Sequence, residues 1–99
     1  MNNLNKKCIF RGDRSGVFFG TLLEKEGQEV TIGNCRRIWY WDGACSISEL
    51  AVNGTSSPDN CKFTVVVESL TITDCIEIIP CTEKAIESIE GVRVWKFQK

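Results

Sequence analysis

The sequence predicts an α+β domain that is mainly β: a small antiparallel curled sheet or barrel-like domain with one or two short helices. Three observations lead to that class. Short alternating or β-branched stretches recur from Lys6 to Phe97. Turn-forming clusters divide them, at Gly12–Gly16, Lys25–Gln28 and Asn53–Asn60. Helical spacing with a capping residue occurs in only two places. At 99 residues the chain has the length of one domain, residues 1–99.

The elements follow in order. KKCIFRG (6–12) is a strand that ends in the polar turn GDRSG. VFFGTLLEKE (17–26) is a second strand, with Gly20 at a bulge or a close backbone approach. KEGQ (25–28) turns the chain into EVTI (29–32), where Val30 and Ile32 alternate with polar neighbours. After a break at Gly33–Asn34, CRRIWYW (35–41) continues as a strand. SISELAV (46–52) fits a short helix, because Ser46 and Glu49 have capping-box spacing and Ile47, Leu50 and Ala51 share a helical face.

NGTSSPDN (53–60) has loop composition. CKFTVVVES (61–69) alternates, with Phe63, Val65 and Val67 on one face. LTITDCIEII (70–79) does the same with Leu70, Ile72, Ile76 and Ile78, a half-buried antiparallel pattern. CTEKAIESIEG (81–91) is the strongest helix. Thr82 caps it, Glu83 suits its positive end, Ala85, Ile86 and Ile89 form a stripe, and Gly91 stops it. VRVWKF (92–97) reads as a closing strand.

Composition narrows the function. With 12 basic and 13 acidic side chains the net charge is −1, which disfavours binding to duplex nucleic acid or to a membrane surface. The charge is uneven, however. Lys6, Lys7, Arg11, Arg14, Arg36 and Arg37 crowd the first part of the chain, whereas Lys62 is the only cation between Asp42 and Ile79. No apolar run is long enough to span a bilayer, and the polar start MNNLNKK lacks a signal-peptide pattern, so a cytoplasmic setting is expected. In that setting the six cysteines read as free, packed thiols.

The chain contains no His, no C-x-x-C pair and no phosphate-binding loop. It therefore offers no obvious catalytic or metal site, and neither a metal nor a cofactor is expected. The reading is a non-enzymatic protein.

The candidate recognition motif is CRRIWYWDG (35–43). On a strand, Arg37, Trp39 and Trp41 share one face, while Arg36, Ile38 and Tyr40 share the other. Arginine stacks on rings and forks onto phosphate or carboxylate, and indoles stack on bases. The same residue types dominate protein-interface hot spots. The plainer alternative is that the rings pack at a core edge under the arginines. Arg11 and Arg14 lie in a second motif, RGDRSG (11–16), whose turn N–H groups form a candidate anion nest.

Four blocks, RGDRSGVFFGTL, RRIWYWDGACSISELAV, CKFTVVV and IEIIPCTEKA, resemble in that order a small family of uncharacterised accessory proteins of tailed phages and prophages. The resemblance brings no catalytic residues. It implies a protein made inside an infected bacterium and acting by binding. The first expectation is sequestration of a nucleotide-derived immune signal, a cyclic nucleotide or ADP-ribose derivative. Arg36 or Arg37 would hold phosphate, Trp39 or Trp41 would stack on the base beside Tyr40, and Arg11 and Arg14 would add a second anion contact. A homo-oligomer is expected with it. The alternative is an inhibitor that blocks a host or defence protein through the Trp/Arg patch.

Overall fold

The computed structural model describes residues 3–97. Its elements are β1 (Lys7–Gly12), β2 (Val17–Glu26), β3 (Glu29–Tyr40), α1 (Ile47–Asn53), a 3-10 turn (Pro58–Asn60), β4 (Lys62–Phe63), β5 (Val67–Ile72), β6 (Cys75–Pro80) and α2 (Glu83–Glu90). The domain is α+β and mostly strand, with every pairing between named strands antiparallel. β4 and β5 both lie along β3, and β2, β1 and β6 follow in that order.

That order forces the sheet to curl. β5 and β6 lie four strand spacings apart, about 19 Å in a flat sheet. Yet only Thr73 and Asp74 join them, and Ile72 to Cys75 can span at most about 11 Å. Irregular register in β2–β3, between Phe19 and Thr21 and again between Leu22 and Glu24, marks where that long hairpin departs from regular pairing. Cys75 N–H donates to the Gln28 carbonyl at 3.0 Å, so the start of β6 meets the hairpin tip. The sheet is curled but not closed: β4 and β5, both along β3, form one edge and β6 the other.

Gly20 lies in the first irregular stretch. A Cβ there would run into Ile32 Cγ2 and stand 2.7 Å from the Gly33 carbonyl oxygen, so only glycine fits the approach of β2 to β3.

At β1 both faces of the sheet are covered, which explains the run Cys8, Ile9 and Phe10, all fully buried. One core contains Cys8, Phe10, Phe18, Leu22, Val30 and Ile32. The other packs Ile9, Phe19, Ile38 and Phe63 against Leu50 and Ala51 of α1 and Ala85 and Ile89 of α2. The helices begin as their caps predict. Ser46 Oγ accepts from Glu49 N–H at 3.2 Å, and Thr82 Oγ1 accepts from Ala85 N–H at 3.1 Å. Thr82 Oγ1 also donates to the Val52 carbonyl at 2.6 Å, joining the start of α2 to the end of α1.

Four expectations are corrected. Gly33–Asn34 does not interrupt a strand; β3 runs through it, with Asn34 taking up a positive φ of 46°. The stretch 61–69 is not one strand, because β3 pairs first with Lys62 and Phe63 and again from Val67, and Val65, Val66 and Val67 are exposed. The stretch 70–79 is split by the Thr73–Asp74 turn. Parity resets there, so Ile72 and Cys75 are buried and Ile76 is exposed. Residues 92–97 form no strand; Val94 makes a single parallel bridge to Phe63.

Candidate functional site

β3 presents the motif, and its two faces meet different surroundings. Arg36 points toward the helices and is only 4% exposed. Its guanidinium donates to four carbonyls: Nε to Thr64 at 3.2 Å, Nη2 to Phe63 at 3.2 Å, and Nη1 to Ile89 at 3.1 Å and Val92 at 3.0 Å. It also lies 5.3 Å from the Phe63 ring centroid. Ile89 and Val92 bracket the end of α2, where the partial negative charge of the last carbonyls attracts a cation. Burial lowers the Arg36 pKa, but a guanidinium stays charged at neutral pH. This side chain binds the sheet to α2.

Arg37 faces the other way. Its guanidinium stacks on Phe18 at 4.5 Å and donates through Nη1 to the Ser15 carbonyl. The 11–16 turn and the 35–41 segment therefore meet. Arg14 and Arg37 line one shallow cavity of about 420 Å³ with Thr71, Thr73 and Asp74. Arg11 does not line it; it pairs with Glu77 across β1–β6 at 3.4 Å.

The turn does form an anion nest, and an internal anion fills it. Asp74 Oδ2 accepts from the N–H groups of Arg14 at 2.7 Å and Ser15 at 2.9 Å, and Oδ1 accepts from Ser15 Oγ at 2.6 Å. The Ser15 hydroxyl first, and then the Arg14 N–H, hold the Asp74 carboxyl below its ordinary range.

The aromatics also divide. Trp41 is half-buried against the helix-covered core, with Nε1 donating to the Ala44 carbonyl at 3.2 Å. Trp39 is 63% exposed and stacks on Trp95 with centroids 6.2 Å apart and planes 16° from parallel. Tyr40 and Trp95 are also exposed. Trp95 N–H donates to the Phe63 carbonyl at 2.8 Å, which fixes the C-terminal segment beside β4, and Lys62 Nζ lies 5.5 Å from the Trp95 centroid.

The motif thus separates into Arg36 and Trp41, which hold the core, and a ledge of Trp39 and Trp95. Sequence reasoning missed Trp95 and Lys62 as parts of this ledge. Their signal was a third Trp among cations near the end of the chain, but the expected strand there gave no reason to place it beside Trp39.

The cysteines behave as packing groups where burial acts on them. It pushes Cys8 up to about 11, and Cys35 and Cys81 up to about 12, so these remain thiols at neutral pH. Among the described residues no helix is long and apolar enough to cross a membrane.

No curated protein and no solved structure matches this chain. The model of the family described as a domain of unknown function, DUF6948, matches residues 5–89. That span contains the curled sheet, Arg36 and Trp39, and stops short of Trp95; over it, the chain belongs to the DUF6948 family.

Proposed function

We propose that this is a non-enzymatic binding protein that docks its Trp39–Trp95 ledge onto a protein partner and blocks it. The observation supporting this is the ledge itself: two stacked indoles exposed on an open surface. Exposing such rings loses favourable burial, and Trp is the residue type most enriched in interface hot spots. The phage resemblance supplies the setting. The protein acts in the cytoplasm of an infected bacterium, and its partner is a host or defence protein.

The test starts with capture from infected-cell lysate, followed by rebuilding of the complex from purified components. Trp39→Ala is expected to weaken the rebuilt complex at least about tenfold, as for a hot-spot residue. A partner that binds wild type and Trp39→Ala equally well rejects the reading.

A second reading, sequestration of a nucleotide-derived immune signal, draws on the cavity that brings Arg14 and Arg37 together. Its volume is within the range of small-ligand sites. Against it, Asp74 places a carboxylate on the cavity wall, and both arginines expected to hold phosphate have protein partners. Thermal shifts against cyclic dinucleotides, cyclic trinucleotides and ADP-ribose derivatives decide this reading. A large shift with intact ligand recovered after heating favours it, together with the expected homo-oligomer; no shift leaves protein docking.

A further inference from the structure

The ledge has a charge character that the motif at 35–43 does not announce. Lys62 lies over the Trp95 ring. Arg93 and Lys96 flank Trp95 in the chain and line a cavity of about 300 Å³ with it, together with Asp59. Both are exposed. The ion pairs among the described residues, Lys7–Glu90 and Arg11–Glu77, include none of these three cations. A chain of net charge −1 has therefore gathered three unpaired cations around its exposed indoles. Cations held close together repel one another, and a ligand that brings carboxylates relieves that repulsion.

A single-stranded polynucleotide and an acidic peptide both offer negative charge with rings. Two features favour the peptide. Single-strand binders offer a succession of ring faces, whereas the two ledge indoles stack on each other and Lys62 lies over Trp95, so Trp39 is the freer of the two. Asp59 also adds a carboxylate to the cavity. A peptide backbone supplies N–H donors to such a group, while a phosphodiester backbone supplies none and is repelled.

Building on the docking reading above, we infer that the ledge recognises an acidic, extended segment of the partner protein. Its carboxylates go to Lys62, Arg93 and Lys96, an apolar or aromatic side chain covers Trp39, and a backbone N–H goes to Asp59.

The test uses the full chain and three fluorescein-labelled probes: a peptide alternating Glu and Phe, its Gln-for-Glu counterpart, and an oligothymidylate of equal length. Anisotropy is expected to show the Glu peptide binding at least about tenfold more tightly than the Gln peptide, and weakening as salt is raised. The triple variant Lys62→Glu, Arg93→Glu, Lys96→Glu is expected to lose that preference. Its circular dichroism and melting temperature should match wild type, since all three residues are exposed.

Equal binding of the Glu and Gln peptides overturns the inference, as does no binding of the Glu peptide or tighter binding of oligothymidylate. Trp39→Ala separates the two levels. If both peptides bind wild type equally and both are lost on Trp39→Ala, the docking surface stands and the acidic partner falls. If the rebuilt partner complex is indifferent to Trp39→Ala, the docking reading itself falls.

Discussion

Arg36 and Trp39 are near neighbours on β3, yet they belong to different regions of the molecule. Around Arg36, a side chain expensive to bury is enclosed between β4 and the end of α2 and hydrogen-bonded to four carbonyls. Around Trp39, a side chain costly to expose lies open and touches another exposed indole. Each runs against its residue type's usual preference, in opposite directions. Strand parity puts them on opposite faces, and the helices cover only one of those faces. Residue types alone do not separate scaffold from recognition surface. What lies on each face of the strand does.

The largest expected effect breaks the sealed region. Arg36→Ala removes a hydrogen bond from each of the carbonyls of Phe63, Thr64, Ile89 and Val92, of which Phe63 keeps Trp95 N–H and Ile89 keeps Val92 N–H. It is expected to cost about 3 kcal/mol or more in urea unfolding, since hydrogen bonds to charged groups each contribute about 1.5–3 kcal/mol. A loss below about 1 kcal/mol would mean that water or rearranged groups satisfy those carbonyls. Gly20→Ala comes next. Its methyl is driven into Ile32 and the Gly33 carbonyl, and overpacking of this kind costs about 1–3 kcal/mol, again read by urea unfolding.

Asp74 sharpens the comparison through pH. Its folded carboxyl titrates below the ordinary value of 3.8. The stability it contributes is therefore fully present above that value and is lost as pH falls through the lower folded value. Asp74→Asn is expected to flatten the acid limb of the stability curve, read by urea unfolding across that pH range. The smallest effect is at the solvent-facing rim where β1 meets α2. Lys7 and Glu90 pair at 2.6 Å with both side chains nearly half exposed. Lys7→Ala is expected to change stability by less than about 1 kcal/mol, and less still in high salt.

Much of the fold was legible in local patterns. Apolar stretches between turn clusters marked β1 and β2, the alternation of Val30 and Ile32 marked the start of β3, and Ser46 and Thr82 marked both helix starts because capping is a local contact. Gly20 marked the close approach of β2 to β3. The failures all depended on distant partners. Gly33 and Asn34 look like a break, but β2 on one side and β5 on the other keep β3 paired through Gly33. Thr73–Asp74 looks like two ordinary strand residues, but it is the turn that links opposite edges of the curled sheet.

The candidate site was half legible for the same reason. Parity placed Arg36 and Trp39 on opposite faces correctly but failed past Trp39, where the pairing is irregular: Tyr40 is exposed and Trp41 packs against the helix-covered core. It could not show that α2 returns its carbonyls to Arg36, or that Trp95 arrives beside Trp39. The 11–16 turn was read as an anion nest, and the nest exists. Its anion is Asp74, whose side chain reaches it because β6 pairs with β1 and sets Cys75 opposite Gly12.

The central claim is that one strand separates a structural arginine from a recognition indole, and urea unfolding of Trp39→Ala beside Arg36→Ala tests it most directly. The account expects Trp39→Ala to lose less than about 1 kcal/mol, as for a surface residue, while Arg36→Ala loses several times more. If Trp39→Ala is as destabilising as Arg36→Ala, the ledge is part of the scaffold, and its assignment as the recognition surface is wrong.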